Sequence, residues 1–274
     1  MERQQEEPVR LAAGGTQATI WPGRGGWVSS VRLGGTEVLF VHPVAPPGDL
    51  PGGIPVLYPI CGRPPAGSRW PFHGFAWRER WSVEERRGDA VVCGLEGADG
   101  SRLRLRAEVA EGWFGLALTV ENRSGGPLRV QAGFHPYFAE VAEVTVCEPG
   151  RRWRYAPDYV HVLPTPEAAP EMPVVAGSPL VRDLLVEGAE AVLRRRDGRR
   201  LRLRAMGETL PFLQFYGTPE GRFVCVEPWS APAGATGEGA RIPAGVVERG
   251  GRRRFGVVVE EEKEGGEEGE KGDF

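Results

Sequence analysis

Residues 103–109 constrain this chain more than any other stretch. Leu103, Leu105, Ala107 and Val109 are apolar, and the residues between them, Arg104, Arg106 and Glu108, are charged. That period of two buries one face of an extended segment and leaves the other wet. Residues 201–205 repeat the pattern. Nowhere does a helical apolar period run with capping signals at both ends. Short strand-like segments recur instead at 18–21, 27–33, 36–41, 79–84, 90–95, 114–121, 130–138, 144–147, 191–196, 212–216, 223–227 and 254–259, most of them punctuated by Gly, Asp, Ser or Pro. Gly34-Gly35 predicts a two-residue hairpin turn between 27–33 and 36–41. The 40 glycines and 25 prolines fit a chain of many tight turns. A dozen or more short strands at this spacing predict an all-β sandwich of large sheets. The proline-rich stretch 158–179 reads as a long loop.

Charge and composition exclude several classes. The formal net charge is −3, which gives no support to a basic nucleic-acid binder. No apolar run approaches the roughly 18 residues of a membrane helix, and the opening MERQQEEPVR has no apolar signal core. The expectation is a cytoplasmic protein with no membrane and no nucleic-acid partner. All but two of the 34 cationic residues are arginine, which fits codon bias and leaves a phosphate-binding subset open. The two lysines, Lys263 and Lys271, lie in a Gly- and Glu-rich tail, 260–274, too charged to bury itself and expected to be disordered; the competing reading extends the last strand and pairs the tail with an Arg-rich surface such as 194–200. The reading is therefore one domain over 1–259 followed by that tail. Cys61, Cys93, Cys147 and Cys225 form no CxxC pair, and no His or Cys pair has metal-ligand spacing. Three of them, Cys93, Cys147 and Cys225, sit in apolar runs and read as buried free thiols.

Candidates for chemistry are few. Of the four histidines, His73 sits in Trp70-Pro71-Phe72-His73-Gly74-Phe75-Ala76-Trp77 and His135 in Gly133-Phe134-His135-Pro136-Tyr137-Phe138. The aromatic rings beside them offer flat apolar faces to the C–H surface of a sugar. A satisfied core or turn histidine would read the same way, and His42 and His161 suggest nothing more than that. Glu227 closes the apolar run Phe223-Val224-Cys225-Val226. Such a carboxylate either turns to solvent or, partly desolvated, acts as a base with a raised pKa. Gly23-Arg24-Gly25-Gly26 lacks the spacing and lysine of a P-loop, and no G-x-S-x-G elbow occurs.

Four blocks in order carry a resemblance: Gly52-Gly53-Ile54-Pro55-Val56-Leu57-Tyr58-Pro59-Ile60-Cys61-Gly62-Arg63, His73-Gly74-Phe75-Ala76, Gly133-Phe134-His135-Pro136-Tyr137-Phe138 and Val226-Glu227-Pro228. Together they resemble the aldose 1-epimerase (mutarotase) family. The resemblance implies a β-supersandwich with an open sugar cleft. It implies His135 as general acid on the ring oxygen and Glu227 as general base on the anomeric hydroxyl. It assigns His73 and Arg63 to substrate binding, and Asp183, in Val181-Arg182-Asp183-Leu184, to a sugar hydroxyl. Gln214 and Trp229 are cleft candidates by position. Anomer interconversion opens the ring between C1 and its ring oxygen, lets the aldehyde rotate, and recloses it. One carboxylate and one imidazolium on opposite sides of the sugar suffice, with no metal and no organic cofactor. The GFHPYF block and the compact length look more like the branch that includes hexose-6-phosphate 1-epimerases, and Arg63, Arg69, Arg78 and Arg80 cluster near His73 as phosphate ligands or as solvated charges. The expected partner is thus a small aldose or sugar phosphate. A non-catalytic carbohydrate-binding module is the alternative from another class. A glycosidase would need a second facing carboxylate, and none matches Glu227.

Overall fold

The computed structural model of the chain describes residues 7–43, 50–164, 174–178, 184–206 and 209–262. Among them every regular element is a strand, apart from the single 3-10 turns Pro22–Arg24 and Ala76–Arg78. No helix among the described residues is long and apolar enough to cross a membrane.

Two large antiparallel sheets build the sandwich. One has nine strands in the order Val174–Val175, Val141–Val146, Glu190–Arg195, Arg200–Met206, Arg252–Glu261, Trp113–Asn122, Ser101–Ala110, Ala90–Glu96 and Ser82–Arg86. The other runs Val162–Pro164, Arg152–Tyr155, Leu184–Glu187, Phe212–Gly217, Phe223–Trp229, Gly133–Phe134 and Val56–Leu57, with Tyr137–Ala139 as its eighth strand, also paired to Phe223–Trp229. A four-stranded sheet begins the chain and includes the expected hairpin about Gly34-Gly35, both at positive φ.

The alternation at 103–109 does what its period requires. Leu103, Leu105, Ala107 and Val109 are buried, while Arg104 faces out and pairs with Glu84 and Glu85, both at 2.8 Å. One apolar cluster joins the two sheets: Leu105, Leu116, Leu118 and Val257 from the first meet Val56, Phe134, Phe215, Val224 and Val226 from the second. Burying such a side chain stabilises the fold by about 1.5–3 kcal/mol. Strand Phe223–Trp229 is buried at every position. Val224 and Val226 join the large cluster between the sheets, whereas Phe223 and Cys225 belong to a small one with Tyr137, and Trp229 to another with Leu57 and Cys61. Its second face therefore forms the floor of something other than the sandwich interior.

Four expectations are corrected. The hairpin's return strand is only Thr36–Glu37. The Glu37 carboxylate accepts from the Val31 and Leu39 backbone N–H groups, each at 3.0 Å, and takes over from the strand ladder. Residues 130–138 are three strands, not one: Leu128–Val130, Gly133–Phe134 and Tyr137–Ala139. Pro136 has no N–H to continue a ladder. The stretch 158–179 holds the strands Val162–Pro164 and Val174–Val175, one on each sheet, with 165–173 outside the described residues. The last strand passes the 259 boundary: Glu260 and Glu261 register with Arg202 and Leu201, and Glu262 pairs with Arg200 and Arg202 at 2.6 Å each. Tail residues 263–274 lie outside the described residues.

Candidate active site

Strand alternation puts Phe223, Cys225, Glu227 and Trp229 on one side of their strand. Gly133 registers with Trp229, and Tyr137 with Cys225. The residue midway between those partners, His135, therefore falls opposite Glu227. The break in the 130–138 run is what frees this histidine from the ladder, and its own backbone N–H is taken by the Pro55 carbonyl at 3.1 Å.

His135 Nε2 lies 3.4 Å from Glu227 Oε1, with side-chain exposures of 6% and 2%. The Tyr137 ring stacks parallel on the imidazole, 4.6 Å between centroids. The Trp229 indole N–H donates to Glu227 Oε2 at 3.1 Å. Burial penalises the charged form of both groups. It pushes the Glu227 carboxyl well above its ordinary value, against a smaller opposing pull from the Trp229 hydrogen bond. It pushes His135 down to about 3. Both shifts favour the uncharged forms, an imidazole beside a carboxylic acid. The two groups stand side by side, not on opposite sides of a ligand as the sequence reading had them. Both oxygens that react in anomerisation are bonded to C1, so one edge of the sugar can meet both groups.

His73 comes from a different loop and is clamped. Its backbone N–H donates to the Gly62 carbonyl at 3.0 Å, and the Gly62 N–H donates to its Nδ1, also at 3.0 Å. Nδ1 is therefore an acceptor, and the ring proton sits on Nε2. Burial, then His135 and Arg78, hold this imidazole well below its ordinary pKa, so it stays neutral. The clamp needs unusual backbone: His73 has φ +62° and Gly74 φ +73°. A Cβ on Gly74 would run into the Tyr58 carbonyl. His73 and His135 meet edge to face, 5.2 Å between centroids.

These residues line an open cleft of about 640 Å³, within the range usual for small-molecule sites. Arg63 is on its wall, with its guanidinium over the Tyr159 ring at 5.3 Å. Gln214 and Trp229 line it too. The Gln214 carbonyl accepts from the Tyr155 hydroxyl at 2.9 Å. Asp183 lies outside the described residues. Of the arginines grouped near His73, only Arg63 lines the cleft among the described residues. Arg69 and Arg78 instead lie over the Trp70 and Trp77 rings.

Sequence reasoning missed Tyr155, Tyr159, Tyr216 and His42 as cleft residues, while Phe72 and Tyr137, among the rings beside His73 and His135, do line it. Phe72, Tyr159 and Tyr216 expose 47%, 42% and 39% of their surface, which gives the cleft an aromatic rim. Tyr159 and Tyr216 carried no signal beyond residue type. His42 packs edge-on against Phe40, at 4.9 Å. All four cysteines are free; Cys61 is buried with Cys93 and Cys225, while Cys147 is half-buried.

No family model and no curated protein matches the sequence. Solved structures do match the fold. A protein of Synechocystis sp. PCC 6803 is 22% identical, with a TM-score of 0.76 over 95% of this chain and 99% of that one. A galactose mutarotase related enzyme of Lactobacillus acidophilus is 18% identical, with a TM-score of 0.75 over 93% and 97%. A galactose mutarotase-like protein of Clostridium acetobutylicum is 18% identical, with a TM-score of 0.74 over 93% and 95%. The chain has the galactose mutarotase-like sandwich fold.

Proposed function

We propose that the protein is an aldose 1-epimerase, an isomerase that interconverts the α and β anomers of a hexose or related aldose without a cofactor. One observation carries the reading: His135 and Glu227 are buried side by side, 3.4 Å apart, at the floor of an aromatic-rimmed cleft. Sugar binding alone needs neither a desolvated carboxyl nor an imidazole against it, and burying both without function would cost stability.

In the proposed reaction His135 gives a proton to the ring oxygen while Glu227 takes the proton of the anomeric hydroxyl. The C1–ring-oxygen bond breaks as the C1 carbonyl forms. The imidazolium–carboxylate pair becomes imidazole and carboxylic acid, the uncharged arrangement that burial favours. Burial favours those same uncharged forms before the sugar reacts, so a proton must first pass from Glu227 to His135; ring opening then restores the favoured state and recovers what that transfer cost. After rotation about C1–C2 the acid and base exchange roles and the ring closes from the other face. Neutral His73 keeps an N–H to donate to a sugar oxygen, and Arg63 supplies a further donor on the wall. The rim rings take the C–H faces of the sugar. These contacts position the substrate without entering the proton transfers.

An unphosphorylated sugar fits better than a sugar phosphate. A phosphate is usually held by several cations, and Arg63 is alone on the cleft wall among the described residues. Free, buried thiols suit a reducing compartment such as the cytoplasm. Magnetisation transfer between anomers, run on glucose, galactose and glucose 6-phosphate, tests the reading. Acceleration is expected on a neutral hexose and its loss in His135→Asn. No acceleration on any aldose would refute it, and acceleration on the phosphate alone would refute the choice of substrate.

A further inference from the structure

Three side chains with lone pairs suited to a thiophilic cation meet at the back of the cleft. The His135 imidazole, the Cys225 thiol and the Glu227 carboxylate offer ligand atoms that all lie within 4.8 Å of one another, and all three residues are buried. The backbone explains the cluster. Cys225 and Glu227 are two apart on one strand and share its face. His135 is brought opposite Glu227 by the register of its two flanking strands. Spacing along the chain gave no sign of it, since His135 comes from a distant segment. His135 and Glu227 line the cleft, and Cys225 sits behind them, packed with Tyr137 and Phe223.

The donor set selects the ion. Magnesium and calcium want six or more oxygen ligands, and this site presents nitrogen, sulfur and oxygen, the set that suits zinc. Tetrahedral zinc with bonds of about 2.0–2.3 Å requires ligand atoms roughly 3.3–3.8 Å apart. His135 Nε2 and Glu227 Oε1 already stand at 3.4 Å. Only the thiol must close in, by up to about an ångström.

We propose that His135, Cys225 and Glu227 form a three-ligand site for zinc or a like thiophilic divalent cation, with the fourth position open to the cleft, and that its occupation switches the site off. Binding forms one bond each to nitrogen, sulfur and oxygen. It releases to solvent the thiol proton and any proton that His135 or Glu227 holds. The ion then occupies both lone pairs that proton transfer needs. Binding itself stands apart from the epimerase reading; the inhibition rests on it.

Cobalt(II) is the probe. Added to metal-free protein, it is expected to give one equivalent of intense tetrahedral visible bands and a near-ultraviolet thiolate-to-cobalt band. Cys225→Ala is expected to lose the thiolate band and bind zinc at least about tenfold more weakly, while Cys61→Ala keeps both. X-ray absorption of the zinc-loaded wild type, which needs no variant to fold, is expected to show one sulfur neighbour with nitrogen and oxygen. A sulfur-free shell, no thiolate band, or a band that survives Cys225→Ala overturns the site. Metal-free protein that interconverts anomers and is not inhibited at saturating zinc overturns the switch. Protein with the cobalt bands but no epimerase activity supports the metal site and refutes the epimerase reading.

Discussion

Replacing Glu227 with Gln separates the cost of this carboxyl from its use. The amide is isosteric, and its oxygen can accept the Trp229 N–H that now reaches Glu227 Oε2 at 3.1 Å. Burial raises the Glu227 pKa and so favours the uncharged form that the amide mimics. The fold is therefore expected to survive. Turnover is expected to fall by about 10²–10⁴, the contribution usual for a positioned acid–base group, or about 3–5 kcal/mol on the barrier.

The pH dependence of stability gives a second readout. Glu227 has a raised folded-state pKa, so the stability it contributes is full below its unfolded value, near 4.5, and is lost as pH rises. His135 is depressed to about 3 from 6.5, so its contribution is full above 6.5 and lost as pH falls. The two slopes oppose each other where both groups titrate in the unfolded chain, and wherever folded Glu227 keeps a proton that the unfolded chain has released, wild-type stability falls as pH rises. Glu227→Gln lacks that decline, so its advantage over wild type grows as pH rises above 4.5. Urea unfolding at pH 5, 7 and 8.5, beside anomer exchange by NMR, measures both effects. A variant that keeps the wild-type rate, or whose stability tracks wild type across this range, would refute the reasoning.

Three further outcomes are expected. His73→Asn should cost less turnover than either variant of the acid–base pair, roughly tenfold to a hundredfold, with part of the loss in KM; steady-state kinetics decides, and a loss as deep as that of Glu227→Gln would give His73 a proton-transfer role. Gly74→Ala should destabilise by at least about 2 kcal/mol, since it adds left-handed strain to a clash with the Tyr58 carbonyl; a wild-type melting temperature would contradict the clamp. Ending the chain after Glu262 should leave melting and rate unchanged, whereas ending it after Val259 should lower the melting temperature by a few degrees, because it removes the Glu262 pairs to Arg200 and Arg202; equal melting of the two would show that those pairs contribute nothing.

Much of this was legible in the sequence, and the rest was hidden for identifiable reasons. Period-two segments such as 103–109 announce strands because one buried face imposes the pattern. Strand Phe223–Trp229 shows no such alternation, since both of its faces are covered, and a continuous apolar run does not say which residue points where. His135 and Glu227 stand out as residue types in unusual company, yet their adjacency is a matter of register. That depends on Gly133 and Tyr137 both pairing to one strand across a break at Pro136. His42, Tyr155 and Tyr159 reach the cleft from separate segments, and nothing local marks them. The docking of Glu261 and Glu262 is the less favoured reading of the sequence because a dense run of acids reads as self-repelling until the arginines of the neighbouring strand, Arg200 and Arg202, are placed beside it.

The same burial explains the chemistry, its cost and its vulnerability. The pairing of Gly133 and Tyr137 to one strand fixes His135 beside Glu227 in a buried floor, where neither charged form is favoured. That arrangement suits the proposed reaction, which borrows a proton and returns it. It also makes Glu227 a liability at alkaline pH, where an amide would be more stable. The strand geometry that puts Glu227 on the cleft face puts Cys225 on the same face two residues earlier. A site built to share a proton between nitrogen and oxygen thereby acquires a sulfur neighbour, and a cation that prefers all three competes directly with the proton for the lone pairs the reaction needs.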